Sequence, residues 1–169
     1  NRLITAIFTA LGREPNLEYV PMPDHLKGKY QYHTEAAMGL TIGGHHFEAR
    51  AAYRWLAAQQ LEDGSWYTAY RQGVAEDKTR DANLSSYIAV GLFHHFLITK
   101  DMALLKQLWP TILRAINFAI SLQTPNGEIY WAISPRGNID RMALLTGSSS
   151  IYMSIKCALA IAKILGLGM

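Results

Sequence analysis

Apolar residues recur at helical spacing through most of this chain, and the spacing defines its elements. Phe47, Ala51, Trp55 and Ala58 form a stripe over 46–60, and Leu105, Leu108, Ile112, Ile116 and Ala119 form a longer one over 102–122. Lys106, Gln107, Arg114 and Asn117 take the opposite face of the longer run, as an outer helix with one wet side requires. Residues 82–99 differ. Leu84, Tyr87, Ile88, Val90, Leu92, Phe93, Phe96 and Leu97 leave almost no polar face, which predicts a helix wrapped on most sides. A further helix is predicted over 148–165. Pro110 interrupts the 102–122 run and predicts a kink or restart there. Alternation of wrapped and one-faced helices is the pattern of two helix layers, so the expected fold is all-α.

The opening of the chain reads differently. Leu3, Ile4, Ile7, Phe8 and Leu11 fall near one helical face, and Gly12 supplies a stop. Leu17, Glu18, Tyr19 and Val20 alternate like a short strand, and Pro21, Pro23 and Gly28 mark an extended loop. The expected division is an irregular segment over 1–37 and a helical domain over 38–169. Within that domain the connections are unequal. Thr99-Lys100-Asp101 makes a tight turn, whereas 61–81 and 124–147 are long loops. Loops that long in a compact domain usually carry function. The hairpin between them turns tightly, so both are expected to emerge at one end of the helix layers.

A short phrase occurs twice. The first copy runs Trp55-Leu56, Gln60 and Gly64-Ser65-Trp66; the second runs Phe118-Ala119, Gln123 and Gly127-Glu128-Ile129, with the glycines 63 positions apart. A repeat at this period means stacked helical hairpins, each too small to bury its own apolar face. The first copy fits aromatic-Leu-x3-Gln-x3-Gly-x-Trp and resembles the QW motif of squalene and terpenoid cyclases and prenyltransferase-like proteins. The stretches Glu35–Leu40 and Leu144–Tyr152 resemble the prenyltransferase-like proteins as well, so the likeness spans roughly 35–169. It implies a partial α/α toroid, an architecture shared with six-hairpin glycosidases, and a ligand that is an isoprenoid or a glycan. The helices are too few to close a ring. Cyclase chemistry is not implied. Glu76 to Asp81 fits neither the Asp-x-Asp-Asp of class II cyclases nor an Asp-rich magnesium-diphosphate motif.

A second resemblance covers the N-terminus. Gly12-Arg13-Glu14-Pro15, Glu18 to Pro23 and Lys29-Tyr30-Gln31-Tyr32 are similar to the C-terminal region of ADP-glycero-manno-heptose 6-epimerases. That likeness implies a sugar-nucleotide contact for Tyr30. The sequence has no glycine-rich strand-to-helix loop and no Tyr-x3-Lys pair, so NAD and epimerase activity are not expected, and no cofactor is assigned.

Composition narrows the remaining classes. At 169 residues, half of them hydrophobic, the chain can bury one real core. Its formal net charge is +3, with Lys and Arg scattered, which argues against a nucleic-acid partner. Cys157 is the single cysteine, so no internal disulfide is possible. The pairs His45-His46 and His94-His95 do not suit a metal, because adjacent helical residues point about 100° apart. The serines 148–150 lack a Gly-x-Ser-x-Gly elbow. No run of about 20 apolar residues is present. The reading is a soluble, cytoplasmic protein without a membrane span.

The long loops hold the candidate chemistry. Trp66, Tyr70, Tyr130 and Trp131 offer aromatic faces for a ligand, and Asp77, Asp81 and Glu128 offer carboxylates. Rings stack on sugar C–H faces and acids take hydroxyls. An acid raised in pKa beside one left ionised can hydrolyse a glycosidic bond. Glu128, next to Tyr130 and Trp131, is the expected raised member; the dipole of helix 82–99 favours negative charge at Asp77 and Asp81. Local roles compete: Asp81 as N-cap of helix 82–99, Ser148 or Ser149 as N-cap of the last helix, and Trp66 packed across the hairpin end. The favoured function is a prenyltransferase- or cyclase-like toroid protein binding an isoprenoid or glycan at the long-loop end. The alternatives are a glycosidase-like carboxylate enzyme and a non-catalytic remnant. An open ring predicts self-association through the N-terminal apolar run and through Ile151, Ile155 and Leu159.

Overall fold

The computed structural model describes residues 30–71 and 74–167. The expected helix over 2–11, the strand at 17–20, the loop at 21–28 and the side chain of Tyr30 lie outside the described residues.

The elements run α1 (Tyr30–Ile42), α2 (His46–Ala58), β1 (Ala69–Arg71), β2 (Val74–Asp77), β3 (Arg80–Asp81), α3 (Ala82–Ser86), α4 (Ile88–Thr99), α5 (Met102–Ser121), β4 (Ala132–Ile133), β5 (Ile139–Asp140) and α6 (Leu145–Ile164). The fold is mainly α, in two layers. Helices α1, α3, α4 and α6 pack side by side in one; α2 and α5 pack across them and touch each other in the second. In the first layer α1 and α4 run parallel, since Thr34 lies against Gly91 and Thr41, further along, bonds His95. The main core gathers Tyr53, Leu56, Trp66, Ile88, Leu92, Leu105, Ile112 and Ile161 between the layers.

Several expectations change. Helix α1 carries no apolar stripe because its buried residues are Thr34, Ala37 and Thr41. Small residues let it approach α4 closely: a Cβ on Gly91 would meet Thr34 Cγ2 at 2.5 Å. On α2 the buried face is Ala49, Tyr53 and Leu56, rotated from the expected stripe, and Phe47 is 58% exposed. Tyr53 is buried because its hydroxyl finds a partner, donating to Gly91 O at 2.9 Å. The 82–99 run breaks at Tyr87 into α3 and α4, and its end is wet, with Leu97 and Ile98 about half exposed. Helix α5 continues through Pro110 and does not restart there. Proline removes one hydrogen bond there, to the carbonyl of Lys106 on the exposed face. On the last helix Ile151 belongs to the core, and the exposed apolar residues include Leu145, Tyr152, Met153 and Leu159.

The repeat is deeper than the phrase that marks it. Gln60 Nε2 donates to Gly64 O at 2.9 Å, and Gln123 Nε2 to Gly127 O at 2.9 Å. Gly64 and Gly127 both hold positive φ, at 89° and 102°. The hairpins that follow open on the same pair, Ala69 with Asp77 and Ala132 with Asp140; the first then shifts register, so that Tyr70 pairs with Ala75 where Ile133 pairs with Ile139. Thr68 N–H donates to Thr79 O at 2.8 Å, and Trp131 N–H to Met142 O at 2.9 Å. Asp81 and Leu144 then occupy the same N-cap position of α3 and α6, with near-identical backbone angles. The unit is therefore an outer helix, a glycine turn, a β-hairpin and an inner helix.

Candidate functional site

The two long loops meet, as their placement at one end predicts. Strand β4 pairs with β3, Ile133 against Arg80 and Ala132 against Asp81, and β5 extends the sheet on the other side. Ala82 N–H donates to Trp131 O at 2.8 Å and locks the second loop onto the start of α3. This brings the starts of α3 and α6 together around a small cleft lined by Asp81, Asn83, Ile129, Trp131, Leu144, Thr146, Gly147 and Ile151. Its volume is about 120 Å³. Pockets that hold whole ligands run roughly 300–1,000 Å³, so this one seats part of a molecule.

Asp81 is the acid among those lining residues. One carboxylate oxygen accepts the Leu84 N–H at 2.9 Å, the N-cap bond the sequence predicts. The equivalent position on α6, Leu144, has no side chain able to cap, so the start of α6, whose Thr146 and Gly147 line the cleft, makes no N-cap side-chain bond. The expected cap from Ser148 or Ser149 is corrected here. The helix begins at Leu145, and the Ser148 hydroxyl accepts the Ile129 N–H at 3.4 Å instead. Two of the lining residues each carry a buried atom without a hydrogen-bond partner: Asn83 Oδ1 and Trp131 Nε1.

The other predicted residues scatter. Tyr130 and Trp131, neighbours in an extended segment, point apart; Tyr130 lines a shallow groove with Asn138, Ile139 and Arg141. Glu128 sits exposed on the glycine turn. Its carboxyl is held below the usual range by a backbone hydrogen bond and by Thr124 and Asn126, which corrects the expected rise through desolvation. Asp77 is exposed and accepts the Thr79 N–H at 2.9 Å; Asp140 does the same for Met142 at 3.1 Å in the second copy. A role kept at both copies of a repeat is a role in building the bend. Trp66 is 1% exposed, and its indole N–H donates to Leu56 O at 2.8 Å, so its face is core. Tyr70 is half-buried in ring contact with Trp55 and Tyr67.

Sequence reasoning missed Asn83 and His33. Asn83 and Thr146 hold equivalent places in the repeat, so carrying the alignment past the glycines finds both. His33 stacks on Trp55 at 4.8 Å between ring centroids, and burial lowers its pKa to about 4. His95 is buried, with Nδ1 2.8 Å from the Thr41 hydroxyl, and burial lowers its pKa too. Among the described residues no group of three His, Cys, Asp or Glu is placed to hold a metal. No helix among them is long and apolar enough to cross a membrane.

The known proteins that this chain is similar to are named as sugar enzymes. Over 134 residues, 79% of this chain, the sequence is 48% identical to an MMP endo-(1,4)-3-O-methyl-alpha-D-mannosidase of Mycolicibacterium hassiacum and covers 37% of it. Over 39 residues it is 59% identical to an ADP-L-glycero-D-manno-heptose-6-epimerase of Nitratidesulfovibrio vulgaris, covering 12% of that protein. The fold resembles the crystal structure of a D-mannose isomerase, with a TM-score of 0.56 and 14% identity, over 88% of this chain and 40% of that one. The chain thus spans well under half the length of the relatives it matches. No family model matches it. The likeness to prenyltransferases and squalene cyclases finds no counterpart in these matches.

Proposed function

We propose that residues 38–169 form a glycosidase-like, carbohydrate-processing α/α domain, part of a toroid, which binds a neutral mannose-type sugar in the cleft between the two long loops. The observation that carries the reading is Asp81. It is fixed at the mouth of α3 beside an indole, and opposite it lie the uncapped start of α6 and the apolar walls of Ile129 and Ile151. An indole face and a carboxylate are the pair that a pyranose needs, one for its C–H side and one for its hydroxyls. The 48% identity to a mannosidase supports the sugar class.

A prenyl diphosphate fits less well. The cleft is small, and the Asp81 carboxylate repels a diphosphate. Glycoside hydrolysis takes two carboxyl groups. Asp81 is the one that the described lining residues supply, so its proposed role is the acid that this cleft brings to the reaction. Asp77 and Glu128 are assigned to the hairpin and the turn. The segment 1–37 is proposed to be epimerase-like in sequence, with Tyr30 as its sugar contact, although Thr34 and Ala37 already belong to α1 and to the packed helices. Copies are proposed to associate through Tyr152, Met153 and Leu159 on α6; a monomer in sedimentation at high concentration overturns that.

The test is calorimetric titration of methyl α-D-mannoside and of farnesyl diphosphate, with Asp81→Asn alongside. Saturable binding of the mannoside, weakened in Asp81→Asn, is expected. Binding of the diphosphate alone sinks the proposal.

A further inference from the structure

We propose that Asn83 and Trp131 are the specificity-determining pair of this cleft and that together they read one uncharged hydroxyl-bearing edge of the sugar. Trp131 Nε1–H donates and Asn83 Oδ1 accepts. The inference rests on the carbohydrate reading above and deepens it.

The argument begins with two orphaned atoms. Both are buried and neither has a hydrogen-bond partner, although both belong to side chains that line the same cavity. Native proteins rarely leave such atoms unsatisfied, and each exception asks for an explanation. One atom is a donor and the other an acceptor. A phosphate only accepts and an ammonium only donates. A hydroxyl does both, and a sugar edge presents several.

The repeat supplies an internal control. Positions 68 and 131 are equivalent, and their backbones make the same bond, to Thr79 O and to Met142 O. In the first copy the side chain closes on its own loop, because the Thr68 hydroxyl donates to Thr79 O at 2.8 Å. In the second copy an indole replaces it, on a residue that lines the cleft, and its N–H is left buried without a partner. The fold needs nothing from that indole nitrogen, since the first copy builds the same turn without one. The equivalent pairs Asp81 and Leu144, and Asn83 and Thr146, line the cleft from both sides. The cleft is therefore where two copies of one unit face each other and where their chemistry has diverged. Asp81 in the same wall selects against anions, so the ligand class is a neutral sugar and not a sugar phosphate. Ile129, Leu144 and Ile151 are left to face its C–H side.

The experiment titrates the full chain with methyl α-D-mannoside, its 2-, 3-, 4- and 6-deoxy analogues, and mannose 6-phosphate. Trp131→Phe keeps the ring and removes the donor; Asn83→Leu removes the acceptor. Each is expected to weaken the parent mannoside about tenfold. One and the same deoxy analogue should bind both variants and the unaltered protein alike, because its missing hydroxyl is the group being read. The Trp131 indole N–H resonance of the unaltered protein should shift on addition of the mannoside, a readout that needs no variant to fold. If no mannoside binds the unaltered protein, the carbohydrate reading fails. If mannosides bind but the indole resonance stays in place, or both variants rank the analogues as the unaltered protein does, the pair is overturned and that reading stands. Tighter binding of mannose 6-phosphate than of the methyl mannoside also overturns the pair.

Discussion

Ser85 and Ser148 hold the same place in successive copies of the repeat. Each hydroxyl accepts a backbone N–H from 19 residues earlier, Trp66 for one and Ile129 for the other, at 3.4 Å in both. The bond ties the end of a glycine turn to the first turns of the inner helix across the hairpin between them. It survives the change from Trp66 to Ile129 because it uses the backbone of that residue and not its side chain. The side-chain difference is absorbed locally: Ile129 packs with Phe118, Ala119, Leu122 and Ile151 in a smaller satellite core.

Ser85→Ala and Ser148→Ala should each destabilise by about 0.5–1.5 kcal/mol, the net worth of one hydrogen bond, with the buried Ser85 at the upper end. Urea unfolding of the two variants checks this. A neutral result for Ser85 with a large loss for Ser148 contradicts their equivalence.

Gly64 and Gly127 separate strain from contact. Both need positive φ, so alanine costs roughly 1–2 kcal/mol at either. At Gly64 the added Cβ also meets Arg114 O of α5 at 2.2 Å, whereas at Gly127 nothing lies within 4 Å. Gly64→Ala is expected to lose about 1–3 kcal/mol more than Gly127→Ala, the cost of forced overpacking. Equal losses in denaturant melts show that the turn does not press on α5.

Trp66→Ala should cost roughly 3–5 kcal/mol, because it empties a core site and leaves Leu56 O without its indole partner. Trp66 is buried away from the cleft, so mannoside affinity measured well below the melting temperature should stay near that of the unaltered protein. A variant that melts normally but loses the ligand reverses the assignment of Trp66 to the core.

His33 links stability to pH. Its folded pKa, about 4, lies below the model-peptide value of 6.5, so the native state keeps the ring neutral while the unfolded chain protonates first. Stability is therefore fully present above about pH 6.5 and falls as pH drops toward 4, by about 3 kcal/mol at most. Burial lowers His95 as well and adds a loss of the same sign. Unfolding free energies at pH 7.5 and 5 should differ in this direction, and His33→Gln should flatten the slope. An unchanged slope in that variant assigns the effect to other groups.

The sequence by itself determined what local period and backbone geometry impose. The α5 stripe from Leu105 to Ala119 was readable because an outer helix has one dry face, and every residue in it is buried. The repeat was readable because Gln and Gly at fixed spacing close a turn that few other residues can close. The Asp81 cap needs only the three residues that follow it. Helix α1 escaped because close packing against Gly91 favours Thr and Ala over an apolar stripe. The orientation of α2 escaped because Tyr53 is buried through a hydroxyl whose partner lies 38 residues away. The cleft was beyond any local reading. Asp81 and Asn83 gain Ile129, Trp131 and Thr146 as neighbours only when β3 pairs with β4. The starts of two helices then line one cleft, and whether a carboxylate caps its own helix, lines a site or sits in solvent is decided by that long-range pairing. Residue type alone does not carry it, as Asp81, Asp77 and Glu128 show.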